Sequence, residues 1–299
     1  MAFLTIFTAP KPFTNPHINI IQRNAIQAWK SLADVDVLLI GDEPGIPEAA
    51  QEFGVKNVAQ VRRDEKDIPL VSAVMEIGHK YCDSPLLCFA NTDMILMSDL
   101  VRAARQVNEQ ALDFLLVGQR WDLDLIVPFD FSGDWENRLR VQVAKKGVYH
   151  SPWGIDFFIF PRRLYANVPD FTIGRPAWDN WMVYHARSTW GLAIDTTRDV
   201  IVIHQNHDYS HLPGNKPPYG SEVAKSNLAK AGGRKHTFNI LDTNRELFRG
   251  RIVRPEVRLV RILRRLEHVF INDRGAGWSW ELSLRLQRMQ RTLAIKPRR

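Results

Sequence analysis

An α/β fold, a doubly wound and mostly parallel sheet flanked by helices, is what this 299-residue sequence predicts. Three observations predict it. Short apolar runs alternate with stretches whose apolar residues recur at helical spacing. One run, Leu86 to Ala90, is continuously apolar, as expected of a strand buried on both faces. The runs are also followed by polar residues, Thr8, Asp42, Arg63 and Asp93, which right-handed crossovers would gather along one sheet edge.

The elements follow in order. Phe3 to Phe7 makes a first strand, closed by Thr8-Ala-Pro-Lys-Pro. Asn15-Pro16 then opens a helix, the Asn as N-cap and the Pro at the first helical position. Ile18, Ile21, Ala25, Trp29 and Leu32 supply its apolar face. Val35 to Ile40 is the second strand, Pro47 to Phe53 a helix, and Val58 to Val61 a short third strand. A helix over Ile68 to Tyr81 feeds the central strand, which breaks at Asn91-Thr92-Asp93 before a second apolar segment, Met94 to Met97. Asp99 to Asn108 reads as a helix and Asp113 to Gly118 as a strand. Pro128 to Tyr149 has weak periodicity and reads as a helical or irregular insertion. Ile155 to Phe160 is a strand interrupted by Asp156, and the segment from Gly174 opens a helix that runs through Arg187. Val200 to Ile203 is a further apolar run, ending in His204. Pro213 to Gly233, rich in Pro, Gly, Lys and Ser, reads as a flexible loop: a lid or a plain linker.

Charge divides the chain. The net charge is +7, but residues 249–299 carry 14 Lys and Arg against 4 Asp and Glu, so the basic character belongs to the tail. Two cysteines, Cys82 and Cys88, are too few for a secreted disulfide framework and read as free core thiols in a reducing compartment. No signal-like leader opens the chain, and no apolar run reaches the roughly 18 residues needed to span a bilayer. The expectation is a cytoplasmic protein, soluble or peripheral at the inner face of the membrane. Nucleic-acid binding is not expected, because no nucleic-acid motif accompanies the basic tail. The organisation expected is a catalytic unit over 1–212, a flexible linker over 213–248 and a basic amphipathic helical tail over 249–299.

A carboxylate at the carboxyl end of a central strand sits where open α/β sheets bind ligands, and there it can hold a divalent cation against a diphosphate. For Asp93 the alternative is a strand-ending turn that caps the next helix. Asp156 lies in an apolar run, where burial without a partner would be costly, although an edge strand could turn it to solvent. Asp179 falls in the first turn of its helix, where the macrodipole favours negative charge, between Trp178 and Trp181. Those indoles are either core or platforms for sugar rings. His204, His207, Asp208 and His211 are crowded into eight residues, which suits metal ligation, proton relay or phosphate binding.

Roughly the first 100 residues resemble the nucleotide-binding half of a GT-A glycosyltransferase (the nucleotide-diphospho-sugar transferase superfamily, family 2-like), and the resemblance extends to about residue 210. That fold is Rossmann-like, with a mixed, mostly parallel sheet, and its Asp-x-Asp motif corresponds here to Asn91-Thr92-Asp93. The resemblance implies that Asp93 binds a divalent metal, Mn²⁺ or Mg²⁺, and that Asn91 contacts the ribose. It implies that Thr8, Asp42 and Glu43 line a nucleoside pocket, with Arg63 on the same edge. A late histidine ligand is matched best by His204, with His207 second. Asp179 corresponds to the general base of inverting members, and Asp156 would orient donor or acceptor hydroxyls. The donor implied is a UDP- or GDP-sugar, and the acceptor a glycan or a lipid-linked molecule. A retaining enzyme of the same fold is one alternative, and a metal-dependent phosphoesterase or hydrolase built on His204 to His211 is another. In the tail, Val257, Val260, Leu263, Leu266 and Val269 alternate with arginines, which suits an anionic membrane surface or packing on the catalytic unit.

Overall fold

A computed structural model describes residues 1–189, 191–207 and 220–294. The first half contains β1 (Leu4–Thr8), α1 (Pro16–Lys30), β2 (Val35–Ile40), α2 (Ile46–Phe53), β3 (Lys56–Val58), α3 (Val71–Tyr81) and β4 (Leu86–Ala90). There follow β5 (Met94–Ile95), α4 (Ser98–Asn108), β6 (Leu115–Val117), β7 (Arg120–Leu123), α5 (Trp135–Lys146), β8 (Val148–Tyr149) and β9 (Phe157–Pro161). The chain continues through α6 (Trp178–Thr189), β10 (Ala193–Asp195), β11 (Val202–Gln205) and α7 (Glu222–Lys230). It closes with β12 (Arg245–Phe248), β13 (Arg251–Val253), α8 (Leu259–Phe270) and α9 (Trp278–Ala294).

Among the described residues, a nine-stranded sheet runs in the order β13-β12-β10-β6-β9-β4-β1-β2-β3. The β3-β2-β1-β4 half is parallel throughout, whereas β9 runs antiparallel to both β4 and β6. This is the α/β class expected: mixed, mostly parallel, with helices on both faces. Every residue of β1, β4 and β9 is buried, and separate apolar clusters fill the two sides of the sheet. The local chemistry explains the helix start at α1, where the Asn15 side chain accepts the amides of His17 and Ile18 at 2.9 and 3.1 Å. Gly78 on α3 is needed for close approach, since a Cβ there would stand 3.0 Å from the Phe7 ring.

A second sheet, β5-β11-β7-β8, builds the functional edge. Parallel pairing sets His204 on β11 opposite Asp122 on β7, and antiparallel pairing sets His204 opposite Met94 on β5. Trp29 of α1 secures it from below, donating its Nε1–H to the Met94 carbonyl at 2.9 Å.

Several elements differ from the sequence expectation. The third strand is Lys56–Val58 rather than Val58 to Val61, because the Asn57 amide donates to the Leu39 and Gly41 carbonyls and fixes that register. Residues 120–123 and 193–195 are strands that were not anticipated. The span 213–248, expected as a flexible linker, contains α7 and β12. Ser221 caps α7, and buried Asn227 holds it to the core by accepting the Thr172 amide at 2.9 Å and donating to the Thr172 carbonyl at 3.0 Å. Strand β12 pairs in parallel with β10, so the large sheet is completed only beyond residue 244. Residues 213–219, the first part of the expected lid or linker, lie outside the described residues, as do Asp208 and His211. Cys82 and Cys88 are free and buried, as expected, and burial pushes the Cys82 thiol up to about 11. No helix among the described residues is long and apolar enough to cross a membrane.

Candidate active site and metal centre

The carboxyl ends of β1, β2 and β4 open onto a cleft of about 590 Å³. Glu43, Arg63, Asn91, Asp93 and His207 line it together with Lys11 and an apolar wall that includes Ile18, Ile21, Pro44 and Ile173. At its floor, Asp93, His204 and His207 each offer a ligand atom within 4.8 Å of the others. The Asp93 Oδ2 stands 3.2 Å from His207 Nε2 and 3.9 Å from His204 Nε2. Its other oxygen, Oδ1, is sealed from solvent and has no hydrogen-bond partner. A buried orphan carboxylate oxygen beside two imidazole nitrogens is a donor set that fits a divalent cation of the manganese type. Burial alone would raise the Asp93 pKa. The charges of His204 and Lys11 and the His207 hydrogen bond outweigh it and hold this carboxyl far below the usual range.

Behind the histidines stands a second carboxylate. Asp122 Oδ1 lies 3.2 Å from His204 Nδ1, and Asp122 Oδ2 lies 2.6 Å from His150 Nδ1. With its Nδ1 edge towards Asp122, His204 turns Nε2 towards Asp93, the arrangement by which an outer carboxylate orients a metal-binding imidazole. Arg120, on the same face of β7, contacts Asp122 at 3.0 Å and also pairs with Asp156. Burial opposes ionisation of Asp122, yet the His150 hydrogen bond, the His204 ring 3.2 Å away and the Arg120 charge hold it well below the usual carboxylate range.

Asn91 is accounted for by its neighbour. Its side-chain amide donates to Asp156 Oδ1 at 2.9 Å, and its backbone amide donates to the Asp156 carbonyl at the same distance. An aspartate at position 91 would instead set two carboxylates against each other. Lys11 projects from the Pro10–Pro12 segment after β1, and its Nζ lies 3.3 Å from His207 Nε2. Burial lowers its pKa, against the attraction of Asp93 and Asp156.

Asp179 occupies the first turn of α6, just after Ala177, whose φ of 90° is unusual for a residue with a side chain. Its Oδ1 is sealed and has no hydrogen-bond partner. Burial pushes its pKa up to about 7 and the Asp156 charge adds to this, against backbone hydrogen bonds at Asn180 and Asp179. The flanking indoles are core rather than platforms. Trp178 packs on Phe89 and Phe158, and Trp181 stacks on His185 with ring centroids 4.5 Å apart.

Asp156 and Asp179 stand outside the cleft lining, and so do the expected residues Thr8 and Asp42. Thr8 is buried, its Oγ1 2.8 Å from the Thr92 hydroxyl. Asp42 is largely exposed and pairs with Arg63 at 2.7 Å. Arg63 also holds Glu43 at 2.8 Å, leaving the buried Glu43 Oε2 without a partner at the cleft wall. Sequence reasoning missed Lys11, Arg120, Asp122 and His150. Only the i, i+2 alternation of Arg120 and Asp122, which sets both on one strand face, was there to be read.

No protein-family model matches the chain, and no curated protein matches it. Among solved structures it is similar to glucosyl-3-phosphoglycerate synthase from Mycobacterium tuberculosis. In that enzyme's complex with Mn²⁺, UDP-glucose and phosphoglyceric acid, the match covers 86% of this chain and 88% of the other at 13% identity and a TM-score of 0.46. In the complex with Mn²⁺ and UDP-glucose the figures are 78% and 80%, 12% identity and 0.47. A structure described only as a mycobacterial protein matches at 13% identity and 0.45, over 78% of this chain and 75% of its own. Likeness at this level assigns neither residues nor a substrate to this chain.

Proposed function

We propose that this protein is a glycosyltransferase that moves a sugar from a nucleotide-diphosphate donor, a UDP- or GDP-sugar, to an acceptor hydroxyl on a glycan or lipid-linked molecule. The observation that carries the reading is the pairing, on one sheet edge, of a cation-ready carboxylate with one poised near neutrality. Asp93, His204 and His207 would hold the metal, which when bound neutralises charge on the departing diphosphate. The apolar wall of the cleft suits a nucleobase, and the orphan Glu43 oxygen can accept a ribose hydroxyl. Lys11 reaches the same floor and can contact phosphate oxygens. Asp179, with its pKa raised to about 7, is suited to take the proton of the attacking hydroxyl. Asp156, fixed by Asn91 and Arg120, orients hydroxyls between the two carboxylates. Attack from the Asp179 side gives inversion.

A thermal-shift screen of UDP, GDP, CMP and dTDP, each with and without Mn²⁺, tests this reading. One nucleoside diphosphate should raise the melting temperature, more so with Mn²⁺, and Asp93→Ala should remove the metal-dependent part. Stabilisation by Mn²⁺ alone, with no added effect of any nucleotide, would favour a hydrolase and sink the transferase. The anomeric configuration of the product, read by NMR, separates inversion from retention.

A further inference from the structure

Helix α8 buries three charged side chains, Arg261, Arg264 and Glu267, beside Val260 and Leu263, and leaves other aliphatic side chains outside. Arg261, 5% exposed, donates to the Leu241 and Thr243 carbonyls, each at 2.8 Å, and to Glu246 at 3.0 Å. Arg264, 4% exposed, holds Asp242 at 2.8 Å and Glu267 at 3.0 Å, and Gln290 of α9 donates to the same glutamate at 2.7 Å. These bonds fix the rotation of the helix. The outward stripe is then Leu259, Ile262, Leu266 and Val269, whose 3-4-3 spacing places them on one face, all exposed and Val269 by 69%. Trp278, 76% exposed at the start of α9, extends the stripe by packing against Phe270 at 6.0 Å between ring centroids.

Positive charge follows one side of this face. Arg258, the residue that caps α8, and exposed Arg265 lie along the same side of the stripe, and Arg274, Arg285 and Arg288 are exposed in the segment that follows. Of the exposed acids of the region, Glu256 pairs with Arg198 at 2.8 Å and Asp273 accepts the Arg234 amide at 2.8 Å, which leaves Glu281 on α9 against the five arginines. An aliphatic stripe with a tryptophan at one end and arginines along its flank matches a surface that is anionic outside and apolar beneath. A second copy of the chain would bring arginines against arginines.

We propose that the outward face of α8, with Trp278, docks on an anionic lipid bilayer, inserting its aliphatic stripe at headgroup depth while the flanking arginines meet lipid phosphates. The surface is separate from the catalytic cleft, so this inference stands or falls independently of the transferase reading.

Co-sedimentation of the full chain with vesicles tests it. Vesicles of phosphatidylcholine and phosphatidylglycerol at about 7:3 should carry down at least tenfold more protein than pure phosphatidylcholine, with several-fold loss in high salt. The double variant Ile262→Asp, Leu266→Asp replaces exposed side chains and should lose about tenfold in vesicle binding at an unchanged melting temperature. Asp93→Ala should bind vesicles like the wild type. Equal binding by the double variant, or no preference for anionic vesicles, overturns the proposal. So does a wild-type dimer in sedimentation velocity that the double variant converts to monomer, since the stripe would then face a second copy.

Discussion

Asp93 and Asp179 belong to the same sheet edge, and each has an Oδ1 that water does not reach and nothing bonds. Their surroundings drive them in opposite directions. Asp93 faces two imidazoles and an ammonium, and remains ionised to low pH. Asp179 faces an apolar helix start and the negative Asp156, and keeps its proton to about pH 7. Asp156 connects the two corners, since its charge acts on both Lys11 and Asp179. Two carboxylates of one kind are thus driven to opposite charge states by their neighbours alone, which suits one to a cation and the other to a proton.

The largest effect should come from breaking the proton-accepting corner. Asp179→Asn is expected to lower turnover by roughly 10³-fold while leaving nucleotide and Mn²⁺ binding unchanged in calorimetry. Intact turnover in this variant would remove Asp179 from the chemistry. Next in size is the support of the metal corner. Asp122→Asn should weaken Mn²⁺ affinity by about 10- to 100-fold, with kcat largely recovered at saturating metal. Loss of kcat that metal does not restore would make Asp122 more than an orienting group.

The pH dependence sharpens the contrast. A base is active without its proton, so the rate should rise with pH and level off above about 7. Stability moves the other way. The Asp179 pKa lies above its unfolded value near 4, so between about pH 4 and pH 7 the folded chain holds a proton that the unfolded chain has lost. This contribution favours folding most at low pH and is lost as pH rises through the folded pKa. Asp179→Asn should therefore gain on the wild type by roughly 5 °C in melting temperature between pH 4.5 and pH 8. A constant difference between the two proteins would mean that the carboxyl is not held neutral. The smallest effect tests the bridge. Asn91→Asp should cost about 1–2 kcal/mol in denaturant unfolding, through a lost hydrogen bond and a like-charge contact with Asp156, and should not tighten Mn²⁺ binding.

How much of this was legible in the sequence follows from how local each feature is. The β1 to β4 half could be read because each strand is followed by its own patterned helix and a capped turn, as at Asn15-Pro16. Strand β10 escaped notice because three residues, Ala193–Asp195, carry no period of their own and are strand only through pairing with β6 and β12. In the site, Asp93 and Asp179 could be placed by their position at element ends. The Lys11 contact joins residues 196 positions apart, beyond any spacing argument. In α8 the expected apolar face is split: Arg261 and Arg264, held by Glu246 and Asp242, turn Val260 and Leu263 inward and leave Leu266 and Val269 outside.

The order of strands in the large sheet also bears on how the chain is made. The β3-β2-β1-β4 half is encoded by the first 90 residues and can begin to assemble while the rest is still being translated. The other half has no such schedule. Strand β10 waits for β12, some fifty residues later, and until it arrives β10 presents an open row of unpaired backbone groups to its surroundings. A ribosome stalled before residue 245 would therefore display a nearly finished sheet with one sticky border, and such truncated chains should be a preferred load for chaperones.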